Sequence, residues 1–253
     1  NMQTIAQMSC NPAMGGIAKG QIIREIDALG GGSGIITDKT MIQFKMLNKS
    51  KGPAMWSPRS QNDRMRFAEE WRLLLEKNHN IDFWQDMVTE LIVKNKIVKG
   101  VKTMLGLEIK GKNVILTNGT FLNGKIHIGE KNFKGGRSGE RSSIGLSGFL
   151  QSHGFQLGRM KTGTPPRIDG RTINYNLLEE DKGDLKTGNF SFLNDFSVKN
   201  QKSCFICHTN KKVHKILEEG FAKSPMFQGR ISAKGPRYCP SIEDKIHRFK
   251  ERD

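Results

Sequence analysis

The run Gly235-Pro-Arg-Tyr-Cys239-Pro-Ser-Ile-Glu-Asp-Lys245 places a cysteine beside a proline, in a stretch too broken for a regular helix or strand. A second run, Ser9-Cys10-Asn11-Pro12-Ala-Met-Gly15-Gly16, lies near the start of the sequence and places a cysteine two residues before a proline. Proline lacks an N–H donor and restricts the residue before it, so both cysteines are predicted to lie on turns or loops. Loops on a rigid scaffold often carry reacting groups, although a cysteine taken alone is more often a small buried hydrophobe.

Three further motifs lie between these two runs. They are Gly52-Pro53-Ala54, Thr120-Phe-Leu-Asn-Gly-Lys-Ile-His-Ile-Gly129 and Gly158-Arg-Met-Lys-Thr-Gly-Thr-Pro-Pro-Arg167. Taken in order, the five motifs resemble the MnmG/GidA family, the FAD-dependent tRNA uridine 5-carboxymethylaminomethyl modification enzymes. The resemblance covers essentially the whole chain, and five long motifs in register are highly specific.

The resemblance implies an α/β fold, that of a two-dinucleotide-binding (Rossmann-like) flavoprotein with a β-meander and an inserted smaller α/β domain. Residues 1–166 are expected to form a partial FAD-binding domain, with a helix and meander insertion at about 57–112. Residues 167–253 are expected to form a partial inserted NAD(H)-binding domain. The family's Gly-x-Gly-x-x-Gly phosphate loop and its C-terminal tRNA-binding region have no counterpart in this sequence, so the chain is expected to be a fragment.

The resemblance also implies the chemistry. A one-carbon unit from methylenetetrahydrofolate and an amine, glycine or ammonium, become a carboxymethylaminomethyl or aminomethyl group at C5 of the wobble uridine, U34, of tRNA. FAD handles the redox and one-carbon chemistry, and NADH can reduce it. The expected partner is an MnmE-type GTPase, in a heterotetramer built on a homodimer, and the expected location is the cytoplasm.

Two kinds of site residue follow from the resemblance, and no metal is expected. Cys10 and Cys239 are the candidate catalytic thiols: one adds to C6 of the uracil ring and the other acts in proton transfer, in an order that the sequence leaves open. Flavin contacts map to Val88 and Ser143. Nicotinamide-nucleotide contacts map to one continuous run, namely Gly235, Pro236, Arg237, Tyr238, Cys239, Pro240, Ser241, Ile242, Glu243, Asp244, Lys245, Ile246, His247, Arg248 and Phe249.

The composition predicts a basic protein without a membrane-spanning helix. The 253 residues carry a net charge of +16, which favours a polyanionic partner, with the Lys45 to Arg66 stretch as the expected contact to tRNA. Biased use of lysine gives the same composition without any partner. Four cysteines and no secretory h-region predict a soluble, intracellular protein. No apolar run approaches the roughly 20 residues of a transmembrane helix.

Periodicity predicts the elements. Apolar residues at helical spacing predict helices over Lys19–Leu29, from an N-cap at Ser57 with Pro58 to about Asn78, over Ser147–His153, and over Lys211–Glu219. Alternation predicts a meander of strands at Val88–Val93, Ile97–Thr103 and Leu107–Lys110. Asn113–Thr117 is predicted to be a buried strand of a parallel sheet.

Two motifs imitate other sites. Cys204-x-x-Cys207-His208 has the spacing of a haem attachment or metal site, but no second ligand set supports one, so it is interpreted as a decoy. Gly106-x-x-x-x-Gly111-Lys112 imitates a P-loop, but Asn113 replaces the magnesium-binding Ser or Thr and the segment is predicted to be a hairpin. His127 is interpreted as a structural histidine.

Two other functions stay open at this point. One is a folate- and FAD-dependent tRNA uridine methyltransferase, which uses the same cofactors but leaves a plain methyl group; the Gly235 run and the Gly158–Arg167 motif argue against it. The other is a truncated, non-catalytic basic fragment that binds RNA weakly or not at all.

Overall fold

The computed structural model describes residues 1–184, 188–196, 198, 200–231 and 241–249. Chain contacts define two compact units, each made of two stretches of sequence. The first unit is Asn1–Phe83 with Thr164–His208, and the second unit is Trp84–Gly163 with Thr209–Asp253. The predicted FAD-binding and NAD(H)-binding domains stay predictions, because these units are defined by contacts within the chain and not by a nucleotide.

The described residues mix helices with short strands. In chain order they form β1 (Ala13–Gly15), α1 (Lys19–Ala28), α2 (Ser33–Thr40), β2 (Met41–Leu47), β3 (Ser57–Asn62), α3 (Arg64–Glu76), β4 (Val88–Lys94), β5 (Ile97–Thr103), β6 (Glu108–Lys110), β7 (Lys125–Ile128), β8 (Lys131–Lys134), α4 (Leu146–Ser152), β9 (Glu179–Asp181), β10 (Cys204–Ile206), α5 (Lys211–Glu219) and α6 (Ile242–Arg248).

The first unit is organised by an antiparallel sheet in which β3 lies between β1 and β2. Helix α1 starts at Lys19 as predicted and ends at Ala28, one residue before the predicted Leu29. Gly30 follows with a φ of +90°, which is accessible to glycine, and the Gly31 N–H donates to the Ile26 carbonyl at 2.8 Å. The antiparallel hairpin of β9 and β10 belongs to the same unit.

The predicted helix start at Ser57 is wrong. Ser57 and Pro58 lie in β3, and the Ser57 hydroxyl donates to the Gly16 carbonyl instead of capping a helix. Pro58 is tolerated in this central strand because β1 ends opposite Arg59, one residue away. Helix α3 instead begins after Asp63, whose carboxylate accepts the backbone N–H groups of Met65 and Arg66 at 3.0 and 3.1 Å.

Two buried carboxylates hold the core of the first unit together. Phe44 packs edge-on against Phe190, which is fully buried. Asp38 accepts the backbone N–H groups of Phe190 and Ser191, and Asp27 accepts that of Phe192. Burial raises the pKa of the Asp38 carboxyl, while these N–H donors act to lower it. The chain segment at Phe190–Phe192 is therefore fixed by side chains from two helices.

The second unit contains the predicted meander. Strands β4, β5 and β6 pair in sequence order and antiparallel, and β7 with β8 forms a separate hairpin. Gly106 turns the chain before β6 at a φ of +88°, so the P-loop-like segment is a hairpin as predicted. The predicted helices at Ser147–His153 and Lys211–Glu219 are confirmed as α4 and α5.

The predicted buried strand at Asn113–Thr117 is wrong. The segment has no regular secondary structure, and Ile115 is 85% exposed. A strand needs a neighbour to complete its backbone hydrogen bonds, and none of the described strands pairs with this segment. The sheets of the described residues are antiparallel. Parallel pairing within these residues is limited to one isolated bridge, between Leu122 and Ser143, which lies outside the strands. Across these same residues, no helix is both long and apolar enough to cross a membrane.

Candidate functional site

Cys10 lies on a loop, as the proline two residues later predicts. The loop leads into β1 and is half-buried at Cys10. One end is held by β3, because the Asn62 N–H donates to the Pro12 carbonyl at 2.7 Å. The other tie comes from Arg167, whose guanidinium donates to the Cys10 carbonyl at 2.6 Å. Arg167, the last residue of the 158–167 motif, therefore contacts the 9–16 motif at the backbone of Cys10.

Cys239 lies outside the described residues, and so do Gly235, Pro236, Arg237, Tyr238 and Pro240. The expected pairing of Cys10 with Cys239 therefore stays a prediction. The rest of the nicotinamide-nucleotide run is described: Ser241 caps α6, and the helix carries Ile242, Glu243, Asp244, Lys245, Ile246, His247 and Arg248 before the chain reaches Phe249.

Lys161 ties the Gly158–Arg167 motif to α6. Its ammonium contacts Asp244 Oδ2 at 2.8 Å, Ser241 Oγ at 3.1 Å and Met226 Sδ at 3.3 Å. Both charged side chains are mostly buried. Burial acts to raise the pKa of the Asp244 carboxyl, but the hydrogen bond and charge of Lys161 outweigh it, and the pKa is lowered. The three donors of one ammonium are thus used to position the start of this helix.

Val88 and Ser143, the two expected flavin contacts, are brought together. The Ser143 hydroxyl donates to the Val88 carbonyl at 3.4 Å. The backbone of Ser143 is also bound on both sides to the Thr120–Gly129 motif: its N–H donates to the Phe121 carbonyl at 2.8 Å, and its carbonyl accepts from the Asn123 N–H at 2.9 Å. Val88 and Ser143 lie 55 positions apart in the sequence, so it is the fold that brings them together.

A cavity of about 280 Å³ adjoins this contact. Residues next to Val88 and Ser143 line it, together with the β5–β6 turn, β8 and the segment before α4; they are Met87, Met104, Lys134, Arg141, Ser142 and Ile144. The lining combines apolar side chains with two cations, which suits a flat ring system that carries phosphate. The sequence motifs did not single out Arg141 or Lys134, because neither belongs to a chemically distinctive pattern.

His127 lies half-buried on β7 among positive charges. Burial lowers the pKa of its imidazole, and the charges of Lys125, Arg159 and Arg230 lower it further. The neutral form is therefore favoured. The interpretation of His127 as a structural histidine stays a prediction, and the sequence carries no information about the two arginines near it.

The family model described as glucose inhibited division protein A matches residues 1–253, the whole chain. The chain belongs to this family. The match confirms the family resemblance that the five sequence motifs carry.

Curated relatives and solved structures agree with the family assignment. The tRNA uridine 5-carboxymethylaminomethyl modification enzymes MnmG of Flavobacterium johnsoniae and Cytophaga hutchinsonii are each 63% identical, over 255 and 254 residues, covering 100% of this chain and 41% of each relative. GidA of Aquifex aeolicus superposes with a TM-score of 0.92 at 48% identity, over 100% of this chain and 43% of that one. The chain thus spans about two fifths of these proteins, and the predicted α/β flavoprotein fold class is confirmed.

The Cys204-x-x-Cys207-His208 sequence of this GidA-family chain spans the end of a hairpin. Cys204 lies in β10 opposite Asp181, and its thiol donates to Gln43 Oε1 at 3.3 Å. Cys207 is exposed, and His208 lies 3.8 Å from Glu179. Within the part of the chain that the structure describes, no three His, Cys, Asp or Glu side chains are grouped as metal ligands. Their interpretation as a decoy stays a prediction.

The basic stretch of this GidA-family chain is partly neutralised by its own carboxylates. Lys45 pairs with Asp181 at 2.6 Å and Lys49 with Asp184 at 2.7 Å. The Lys45 pair lowers the pKa of Asp181, mainly through its hydrogen bond. A phosphate would have to displace these carboxylates, so the prediction that this stretch contacts tRNA is weakened at two of its lysines.

Proposed function

We propose that this protein modifies C5 of the wobble uridine of tRNA, adding a carboxymethylaminomethyl or aminomethyl group. The observation that carries the proposal is identity of 63%, along the whole chain, to proteins named for this modification. The Cys10 loop supports it locally, because it places a thiol on a loop held from both sides. The proposed location is the cytoplasm, where tRNA is processed.

The proposed flavin-binding residues are Val88 and Ser143, with the adjoining cavity as the place for part of FAD. The residues fit the group: Met87, Met104 and Ile144 offer apolar surface to a ring, and Lys134 and Arg141 offer charge to phosphate. FAD supplies redox chemistry when it is bound. The chain's own part is to orient the group and to exclude water from one side of it.

Nicotinamide nucleotide is proposed to bind along Gly235–Phe249. The described half of this run, Ser241–Phe249, is held in place by Lys161, which supports a preorganised binding segment. We propose methylenetetrahydrofolate as the one-carbon donor, and an MnmE-type GTPase as the partner, in a heterotetramer built on a homodimer. These assignments rest on the family to which the chain belongs.

The proposed role of the two cysteines is nucleophilic and acid–base catalysis. One thiolate forms a bond to C6 of uracil, and the C5–C6 π electrons move toward C5 and the O4 carbonyl, so C5 becomes nucleophilic. After C5 has accepted the one-carbon unit, the second cysteine removes the C5 proton. The electron pair of that C–H bond restores the C5–C6 double bond as the first thiolate leaves. Cys10 and Cys239 are the proposed pair, in either order.

The test uses the full-length protein in a strain that lacks its own enzyme. Cys10→Ser and Cys239→Ser are each expected to abolish the modified nucleoside in purified tRNA while flavin, measured from the visible spectrum, stays bound. Cys204→Ser, on β10, is the matched control and should retain modification. Normal modification in Cys10→Ser would return that thiol to a structural role, a plain 5-methyluridine product would favour the methyltransferase, and no product from the unaltered protein would favour a non-catalytic basic protein.

A further inference from the structure

One face of the β7–β8 hairpin concentrates positive charge. Lys125 and His127 alternate on β7, and they lie opposite Lys134 and Asn132 of β8 in the antiparallel register. Residues directly opposite in such a pair point to the same side of the sheet. These four residues define the hairpin face, whereas Lys131 pairs with Ile128 and belongs to the other side.

Two arginines from distant parts of the second unit attach at the two ends of this hairpin. Arg159 donates to the Asn123 carbonyl at 3.1 Å, just before β7. Arg230 donates to the Glu130 carbonyl at 3.2 Å, in the turn between the strands. Both arginines are exposed. Their positive charges help to lower the pKa of the His127 imidazole, whose position in the chain lies between the two carbonyls that they bind.

Within the described part of the chain, no carboxylate neutralises these cations. Among the ion pairs of the described residues, none includes Lys125, Arg159 or Arg230, whereas Lys45, Lys49 and Lys161 each have a carboxylate partner. The nearest acidic residue in the turn, Glu130, offers Arg230 its backbone carbonyl. Like charges gathered without counter-ions repel one another, and an anionic ligand relieves that cost.

We propose that the hairpin face, with Arg159 and Arg230, binds the sugar-phosphate backbone of the RNA substrate. Strand β7 spans about 10 Å at roughly 3.3 Å per residue, so the two arginines at its ends can contact different phosphates of one polymer. Lys134 also lines the 280 Å³ cavity, so the bound backbone passes the edge of the proposed flavin site. This inference rests on the proposed function, which makes RNA the substrate.

The test is the salt dependence of binding to an unmodified tRNA transcript by the full-length protein. The double variant Lys125→Gln/Arg230→Gln removes two proposed phosphate contacts. The slope of log K against log salt should flatten by about 1.4 to 1.8, since each contact contributes about 0.7 to 0.9. Lys134 is left unchanged because it also lines the cavity.

The matched control is Lys94→Gln/Lys131→Gln, two exposed lysines of the same unit with the same change in net charge. The control should keep the slope of the unaltered protein. Lys125→Arg/Arg230→Lys, which keeps both charges, should also keep it, and circular dichroism on every sample establishes folding. Equal flattening in the control, or none in the hairpin variant, would overturn the proposal.

Failure of the proposed function has a different signature. If the hairpin variant flattens the slope as expected but the unaltered protein leaves uridine unmodified, the hairpin assignment stands and the function falls. If modification is normal and the hairpin variant binds tRNA with an unchanged slope, the assignment falls and the function stands. Loss of NADH binding with intact tRNA binding would show that the face serves a dinucleotide, which also overturns it.

Discussion

The guanidinium of Arg167 donates a 2.6 Å hydrogen bond to the backbone carbonyl of Cys10, across 157 positions of sequence. The two residues belong to separate motifs, each of which is irregular and rich in proline or glycine. In the first motif the ladder of backbone hydrogen bonds begins only at Ala13, after Cys10. A charge-assisted bond between them therefore fixes the backbone at Cys10, in addition to the bond between Asn62 and Pro12 that holds the end of the loop.

Arg167→Ala should slow uridine modification by roughly fivefold, equivalent to about 1 kcal/mol, because the Cys10 loop loses its charged anchor. Arg167→Lys should restore only part of the rate, since an ammonium lacks the planar fork of donors. The measurement is single-turnover modification of tRNA by the full-length protein. Arg171→Ala, which removes an exposed arginine paired with Asp169, is the control, and an equal loss there would contradict a specific role for Arg167.

Gly145→Ala should destabilise the segment that carries Ser143. Gly145 has a φ of +106°, and a Cβ there would lie 2.8 Å from the Thr89 carbonyl oxygen of β4. We expect a cost of about 1–3 kcal/mol and weaker flavin binding. Gly148→Ala, three residues on in α4 with open space around its Cα, should be neutral or gain about 0.5–1 kcal/mol. Thermal midpoints and flavin content of the two variants check this, and equal midpoints would refute it.

Asp244→Asn should loosen α6 fully above the ordinary carboxyl pKa of 3.8 and progressively less as the pH falls below it. Because the folded pKa of Asp244 is lowered, its charged form stabilises the fold, and that contribution is lost as pH falls below 3.8 toward the lowered pKa. We expect the substitution to lower the local free energy of opening by about 1–2 kcal/mol at pH 7. This value allows for solvent screening, because the pair of Asp244 and Lys161 is partly exposed.

Amide hydrogen exchange of residues 241–249, measured across pH, reports this local opening for Asp244→Asn. Asp169→Asn is the control, because that carboxylate pairs with Arg171 at the surface and lies in the other unit. A difference between Asp244→Asn and the unaltered protein that persisted well below pH 3.8 would mean that packing, and not charge, holds the helix.

Cys204→Ala with Cys207→Ala should leave metal content and activity unchanged. Cys204 is engaged by Gln43 and Cys207 is exposed, and the paired carboxylates of the hairpin already have cationic partners. Elemental analysis and a haem stain of the full-length protein are the measurements. Stoichiometric zinc or iron that disappears in the double variant would show that the spacing is a true ligand set.

Local patterns predicted some of the elements correctly. The helices at Lys19–Ala28 and Lys211–Glu219 and the strands of the meander follow from periodicity and from turn residues such as Gly30 and Gly106. These signals are short-range, because a hydrogen bond within a helix or a tight turn joins residues only a few positions apart. Motif order was equally informative, since it identified the family before any contact was known.

Long-range partners decided the rest. Ser57-Pro58 has the local form of a helix start, but a hydroxyl bond to Gly16 and pairing with β1 and β2 make it a strand. Asn113–Thr117 has the composition of a strand and finds no pairing partner among the described strands.

The same is true of the candidate site. The bonds from Ser143 to Val88, from Lys161 to Asp244 and from Arg167 to Cys10 join residues 55 to 157 positions apart. Residue chemistry made these side chains capable of their contacts. Chain folding alone decided which of them meet, because packing depends on the whole set of competing partners and leaves no periodic trace in the sequence.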